Sequence, residues 1–292
     1  MKKILITGAT GNIGSEVIRY LGALTTDAEI IAGVRDIERA SLKLDQLPNL
    51  TFRVFDMEDA NSFKSGFQEI DILFLLRPPH ISDVDKYFKP LLASAKTSGI
   101  QRIVFLSVQG AERSKVIPHN KIERLIRDFG FAYIMVRPSY FMQNLTTTLR
   151  PEILESRTIT LPSANAKFNW IDVQNIGEAV AHFIQSFDQY INKSYEITGL
   201  ENKGFPEVVD LMNDVLDIDL KFNSLNPISF YFKKKKEGIS SGFALVMTLL
   251  HFLPRVQSEP NVSNTYQELT GKTPTSIKAF IEREKDKFFI NR

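Results

Sequence analysis

The chain contains no cysteine, one tryptophan and only four histidines among 292 residues. Without cysteine there are no disulfides, no thiolate metal ligands and no thiol nucleophile, a usage that fits a reducing, cytoplasmic compartment. The histidines form no group with metal-ligand spacing, so no metal is expected. A strong charge of either sign is also missing. Net charge is +2, which offers no electrostatic reason to expect nucleic acid or an anionic membrane as partner. Nor is there a long hydrophobic run. The most apolar stretch, "GISSGFALVMTLLHFLP" (238–254), is shorter than the ~20 residues a spanning helix needs and contains serine, threonine and histidine. It reads as a buried or lid helix, with "KKKK" (233–236) as a solvated helix end; an interfacial membrane helix is the alternative. The opening "MKKILITG" reaches a glycine turn too soon to be expected as a signal peptide.

What is present is a soluble-protein composition, 43% hydrophobic and 24% charged, with a rhythm of short apolar runs and helix-period segments. Candidate strands are "KILIT" (3–7), "EIIAGV" (29–34), "TFRVF" (51–55), "DILFLL" (71–76), "RIVFLS" (102–107) and "YIMVR" (133–137). Several are apolar throughout, as strands covered on both faces must be. Helical segments lie between them at 12–24, 84–99 and 118–130, the last two ending on Gly99 and Gly130. Alternation with short links predicts an α/β fold, a Rossmann-type doubly wound parallel sheet. Beyond about residue 150 the rhythm loosens into helices at 173–187, 205–216 and 276–289 and a strand at 194–199. The expected division is a nucleotide-binding domain over 1–150 and a smaller, mainly helical substrate or cap region over 151–292. Elements around 170–198 are expected to complete the first domain.

The most informative stretch is "ILITGATGNIG" (4–14), in which an apolar strand runs through a glycine turn into an amphipathic helix. The free amides and positive dipole end of such a helix suit a pyrophosphate. Gly8 permits the tight turn, Gly11 a close approach of phosphate, and Gly14 close packing of helix on strand. Thr10, Asn12 and Ile13 complete the turn and supply further amides. The spacing is Gly-x-x-Gly-x-x-Gly, a variant of the usual dinucleotide fingerprint. Twenty-one residues past Gly14 stands Arg35, where an acidic residue would take the ribose hydroxyls of NAD; a guanidinium there suits a 2′-phosphate and predicts a preference for NADPH over NADH. Arg39 and Lys43 follow as further positive charge or as ordinary surface charge, and Asp36 leaves room for some NAD. Asp56 is placed either for the adenine edge or as a helix N-cap. Leu76, Arg77 and Pro78 close the fourth strand, and ligands in these sheets lie off the carboxyl ends of strands.

These residues resemble the NmrA-like branch of the atypical short-chain dehydrogenase/reductases, and most of all its type 2 NADPH-dependent quinone oxidoreductases. The resemblance rests on "TGATGNIG", "VRD", "FLSVQGAE", "PHNKIERLIRDFGFAYIMVRPSYFMQNL", "DVQNIGEAVA", "YEITG" and "TYQELTGKTPTSIKAFI", which cover most of the chain. It implies a Rossmann domain, a small substrate domain and a cofactor between them. Typical relatives carry a catalytic Tyr-x-x-x-Lys; here Lys121 matches the lysine, but Ile117 stands four residues before it. Ser107 matches the serine at the end of the fifth strand. Lys121 is then expected to hold the nicotinamide ribose, with a surface lysine paired to Glu112 or Glu123 as the plain alternative. Tyr140, Phe141 and Asn144 fall where the family walls nicotinamide and substrate. Tyr140 and His119 are the candidate proton sources, and Trp170 is expected near the pocket mouth. The implied activity is hydride transfer to a quinone-like or other flat, electron-poor acceptor, a reaction that depends more on positioning than on an acid. A non-catalytic NAD(P)-binding redox sensor with a protein partner is the second reading, and a reductase acting on sugars or isoprenoids a weaker third. Expected partners are a small-molecule acceptor and a second copy in a homodimer, with no nucleic acid and no membrane span.

Overall fold

A computed structural model describes residues 1–24, 27–44, 47–115 and 117–289. The chain divides into two compact units. The first comprises Met1–Pro138, Val173–Ile197 and Thr265–Lys272, and the second Ser139–Asp172, Thr198–Asn264 and Thr273–Arg292. The boundary thus falls at Pro138 rather than near 150, and the chain returns to the first unit twice. The second return, at 265–272, has no signature in the local sequence.

The first unit is built on a seven-stranded sheet: β1 (Lys2–Ile6), β2 (Ala28–Val34), β3 (Leu50–Val54), β4 (Ile72–Leu76), β5 (Arg102–Leu106), β6 (Ala132–Pro138) and β7 (Lys193–Ile197). Their spatial order is β7-β6-β5-β4-β1-β2-β3, and every pairing is parallel. The order reverses at β1, which lies between β4 and β2. This is the switch point where α/β sheets open a crevice at the strand ends. Continuously apolar strands such as β4 are buried because helices cover both faces. One large cluster, including Leu5, Phe74's neighbours Leu73 and Leu75, Phe105, Phe88 and Ile126, forms the core on one face. On the other, the helices Asn12–Leu24 and Val173–Gln185 pack so closely that a Cβ on Gly177 would stand 2.5 Å from the Cβ of Glu16. The helix at 173–185 is tied down by Tyr266, which donates to Glu178 at 2.5 Å and accepts from the Asn175 amide at 2.9 Å.

The second unit is not purely helical. It holds a three-stranded sheet of Tyr140–Phe141, Lys167–Ile171 and Asn202–Gly204, and a parallel pair of Thr158–Leu161 with Lys221–Ser224. These strands are too short, at two to five residues, for an alternating pattern to stand out. The helix expected over 276–289 is Ile277–Arg283 followed by a 3₁₀ turn, Lys285–Phe288. Helices Pro227–Lys236 and Ser241–Phe252 form a hairpin, and only one face of the second is covered, which removes the buried alternative of the buried-or-lid expectation. Among the described residues no helix is long and apolar enough to cross a membrane.

Candidate functional site

The glycine turn leaves β1 and enters helix Asn12–Leu24. Gly8 takes φ +62°, a left-handed conformation costly for any side chain. Gly14 packs flat on the turn: a Cβ there would strike the carbonyl oxygen of Gly8 and come within 2.8 Å of the Ala9 Cα. Thr10, Gly11 and Asn12 remain exposed while Ile13 and Gly14 are buried, so the tip of the turn and the helix start face solvent. No acidic residue occupies the first helical turn. The result is an open cradle of amides at a positive dipole end, a fit for an anionic pyrophosphate. Thr7, which sequence reasoning passed over, fixes the cradle to its neighbour. Its hydroxyl donates to the Phe74 carbonyl and accepts from the Leu76 amide, both at 3.0 Å.

The adjoining strand ends carry the other expected residues. Arg35 follows β2 and is exposed, and among the described residues no carboxylate pairs with it. Asp36 is engaged elsewhere: its carboxylate caps helix Ile37–Ser41 by accepting from the Arg39 amide at 3.0 Å. Asp56 does not cap the next helix, Asn61–Gly66, whose N-cap is Ala60; instead it turns the chain locally by accepting from the Glu58 amide at 3.0 Å. Past β4, Arg77 folds over the loop that begins with Pro78. It donates to the carbonyls of Pro78, Pro79 and Ile81 at 3.1, 3.2 and 2.6 Å.

His119 meets that same guanidinium, accepting from Arg77 Nε at 3.4 Å. Burial, and then the Arg77 charge, pull its pKa down to about 3. At neutral pH it is therefore an uncharged acceptor at Nε2, an arrangement opposed to the proton-source role. Ile117, in extended backbone, is the N-cap of helix Pro118–Asp128, so the position that typical relatives give to tyrosine lies just off the helix. Lys121, one turn in, is exposed, and among the described residues it pairs with neither Glu112 nor Glu123. Glu123 is held by Arg137, Arg127 and Ser107, and Glu112 by Arg137 and Arg113. Ser107 is buried, its hydroxyl donating to Glu123 at 2.7 Å.

In the second unit the structure brings Tyr140, Phe141, Asn144 and Trp170 together. Tyr140–Phe141 pairs in parallel register with Trp170–Ile171, and Asn144 sits in the following 3₁₀ turn, Met142–Thr146. Trp170 is 1% exposed, a core residue rather than one at an open rim; its ring lies edge-on to Tyr140 with centroids 4.9 Å apart. Phe168, Phe205 and His251 complete the ring of aromatics around the phenol. His251 is the partner that sequence reasoning missed. Its Nδ1 is 2.7 Å from the Met247 carbonyl, one helical turn earlier, and its Nε2 is 3.0 Å from the Tyr140 hydroxyl. A carbonyl can only accept, so Nδ1 carries the hydrogen, and Tyr140 donates to Nε2. The only sequence signal was a lone histidine in an apolar segment.

Burial raises the Tyr140 pKa, offset in part by a hydrogen bond from Asn144, so the residue stays a neutral phenol. Burial likewise lowers His251 to about 4 from an ordinary 6.5, a bond to Met247 opposing and the Lys234 charge adding to the fall. The unfolded chain then binds the proton first. Stability contributed by neutral His251 is complete above pH 6.5 and is lost as pH falls towards 4. Thermal unfolding across that window should show a loss that His251→Gln flattens.

A doubly wound parallel sheet with an open glycine cradle at its switch point defines a Rossmann-type protein with a second, smaller unit. Residues 1–278 match the model of the NmrA-like family, and the chain belongs to that family. It is 27% identical over 277 residues to prestalk A differentiation protein A of Dictyostelium discoideum, covering 95% of this chain and 90% of that protein. Its fold matches an NADPH-dependent quinone oxidoreductase from Escherichia coli solved with NADPH (TM-score 0.83, 21% identity, 96% of this chain and 99% of that one). It also matches NmrA, a negative transcriptional regulator solved with NAD (TM-score 0.71, 16% identity, 96% and 94% covered).

Proposed function

We propose that this chain is an NADPH-dependent reductase of a quinone-like, flat and electron-poor acceptor. The observation that carries the reading is the open glycine cradle with Arg35, exposed and without a carboxylate partner among the described residues, at the end of the strand next to β1. Gly8, Gly11, Gly14 and the amides of Thr10, Asn12 and Ile13 would hold the pyrophosphate, and Arg35 the 2′-phosphate. The use of Asp36 as a helix cap supports NADPH over NADH. Asp56, Leu76, Arg77, Pro78 and Ser107 would border the cofactor, and Lys121 would take the nicotinamide ribose. The bound nicotinamide supplies a hydride.

Tyr140, Phe141 and Asn144 would supply the aromatic and polar wall for a flat acceptor, with the buried Trp170 packed behind Tyr140. Tyr140 binds rather than acidifies: its hydrogen is held by His251, and its burial disfavours the phenolate. A quinone needs no better. After hydride addition its oxyanion takes one proton from water, so the sum is quinone plus hydride plus proton giving hydroquinone. Positioning carries the rate. The lack of tyrosine at Ile117 is compatible with this chemistry and would disable ordinary alcohol dehydrogenation.

The test is to add NADPH and a panel of benzoquinones and naphthoquinones to the purified protein and follow the reduced-nicotinamide absorbance. Consumption that requires the quinone is the expected result. NADPH binding without oxidation by any acceptor would overturn the reading in favour of a sensor, which Ile117 also suits. Arg35→Asp should weaken NADPH binding by about 10–100-fold, the worth of a charge-assisted phosphate contact, while NADH binding changes by less than about threefold. Equal losses in calorimetric titrations would remove the 2′-phosphate assignment.

A further inference from the structure

Helix Ser241–Phe252 carries apolar residues on both its faces, yet only half of it is covered. Ala244, Met247, Thr248 and His251 face inward. On the opposite side Leu245, Val246, Leu249 and Leu250 are 40–50% exposed, and Leu253 continues the row. The spacing i, i+1, i+4, i+5, i+8 makes this one continuous stripe. The preceding helix of the hairpin, Pro227–Lys236, adds Ile228 and Phe232, both more than half exposed. An exposed apolar stripe of this kind marks a docking site.

The charges beside it decide for what. Lys233 and Lys234 pair with Glu237, and Lys233 also with Glu152. Lys235, Lys236 and Arg255 are exposed, and among the described residues none of the three is paired with a carboxylate. A greasy stripe with unneutralised cations at both ends of the hairpin is complementary to a surface that is apolar beneath and anionic on top. At 12 residues the helix is too short to span and long enough to lie in the interface. We propose that the hairpin 227–256 docks the protein on an anionic lipid membrane, with the Leu245–Leu249 stripe in the acyl boundary and Lys235, Lys236 and Arg255 among the headgroups. The near-neutral charge of the whole chain conceals this local arrangement. Docking would lay the outer face of the helix in the layer where apolar acceptors dissolve, while its inner face carries His251.

Co-sedimentation of the full chain with vesicles tests this. Vesicles of phosphatidylcholine mixed with phosphatidylglycerol should bind at least about tenfold more tightly than phosphatidylcholine alone, and added salt should erode the difference. The pair Leu245→Glu with Leu249→Glu should abolish binding to both, and the pair Lys235→Glu with Lys236→Glu should remove only the anionic preference. Because the lysine pair is exposed and pairs with no carboxylate among the described residues, it reads the proposal even if the leucine pair disturbs the fold. The proposal is overturned if anionic vesicles fail to bind, if both paired variants bind like the wild type, or if ultracentrifugation shows a dimer that the leucine pair dissociates without any vesicle binding. The last result would assign the stripe to a second copy of the chain.

Discussion

Gly14→Ala should all but abolish dinucleotide binding, raising the Kd for NADPH about 100-fold or more. A methyl group there has nowhere to go, since it meets the Gly8 carbonyl oxygen and the Ala9 Cα, both backbone atoms that cannot rotate away. The helix start must move off the turn, and each lost amide contact to a charged phosphate costs about 1.5–3 kcal/mol. The same overpacking should lower the stability of the first unit by about 1–3 kcal/mol. Calorimetric titration and thermal unfolding separate the two effects. The exposed Gly11 is the contrast: a Cβ there meets only the Gly8 oxygen, at 3.2 Å, so Gly11→Ala should leave stability nearly intact. If Gly14→Ala binds NADPH like the wild type, the cradle is not the pyrophosphate site.

Glu123→Ala is expected to be the most destabilising single change in the first unit, by about 3–5 kcal/mol, because it strands a buried charge network. Glu123 is 1% exposed; Arg137 reaches both its oxygens at 2.9 and 2.7 Å, Ser107 donates at 2.7 Å, and Arg127 adds an ion pair. Removal leaves the largely buried Arg137 with Glu112 alone. Burial by itself would raise the Glu123 pKa, but the bonds from Arg137 and Ser107 outweigh it and hold the carboxyl below its ordinary 4.5. Its stabilising contribution is thus present above pH 4.5 and disappears as pH falls through the lowered value. Differential scanning calorimetry of the variant at neutral pH, and of the wild type across the acid range, checks both parts. A variant that melts within a degree or two of the wild type would show that the network contributes little.

Legibility differed between the two units for a physical reason. β1 to β6 and the helix at 12–24 were readable because each parallel strand carries an apolar run, unbroken in β4, and the links between strands and helices are short. Even β7, far along the chain, showed as "SYEITG". The second unit rests on strands of two to five residues, whose pairing is decided by partners distant in sequence, such as Asn202–Gly204 on Lys167–Ile171. Single residues followed the same division. Gly14 and Arg35 could be placed at the turn and at the strand end because their positions depend only on distance along the chain from a strand. Glu123 could not: its partners Arg137 and Ser107 lie 14 and 16 residues away and meet it only when β5 and β6 pair beside the helix. His251, 111 residues from Tyr140, was equally invisible.

The sequence by itself determined the doubly wound sheet, the glycine cradle, the place of Arg35 and the lack of a tyrosine at 117, all of which depend on local spacing and residue type. Only the tertiary structure decided which polar groups spend their hydrogen bonds on one another. Arg77 is taken by three carbonyls and His119, Ser107 by Glu123, and the Tyr140 proton by His251. It also decided that one face of the 241–252 helix stays uncovered. Hydropathy reports how much a residue resists water, whereas burial and hydrogen-bond partners depend on which distant segments the fold sets beside it.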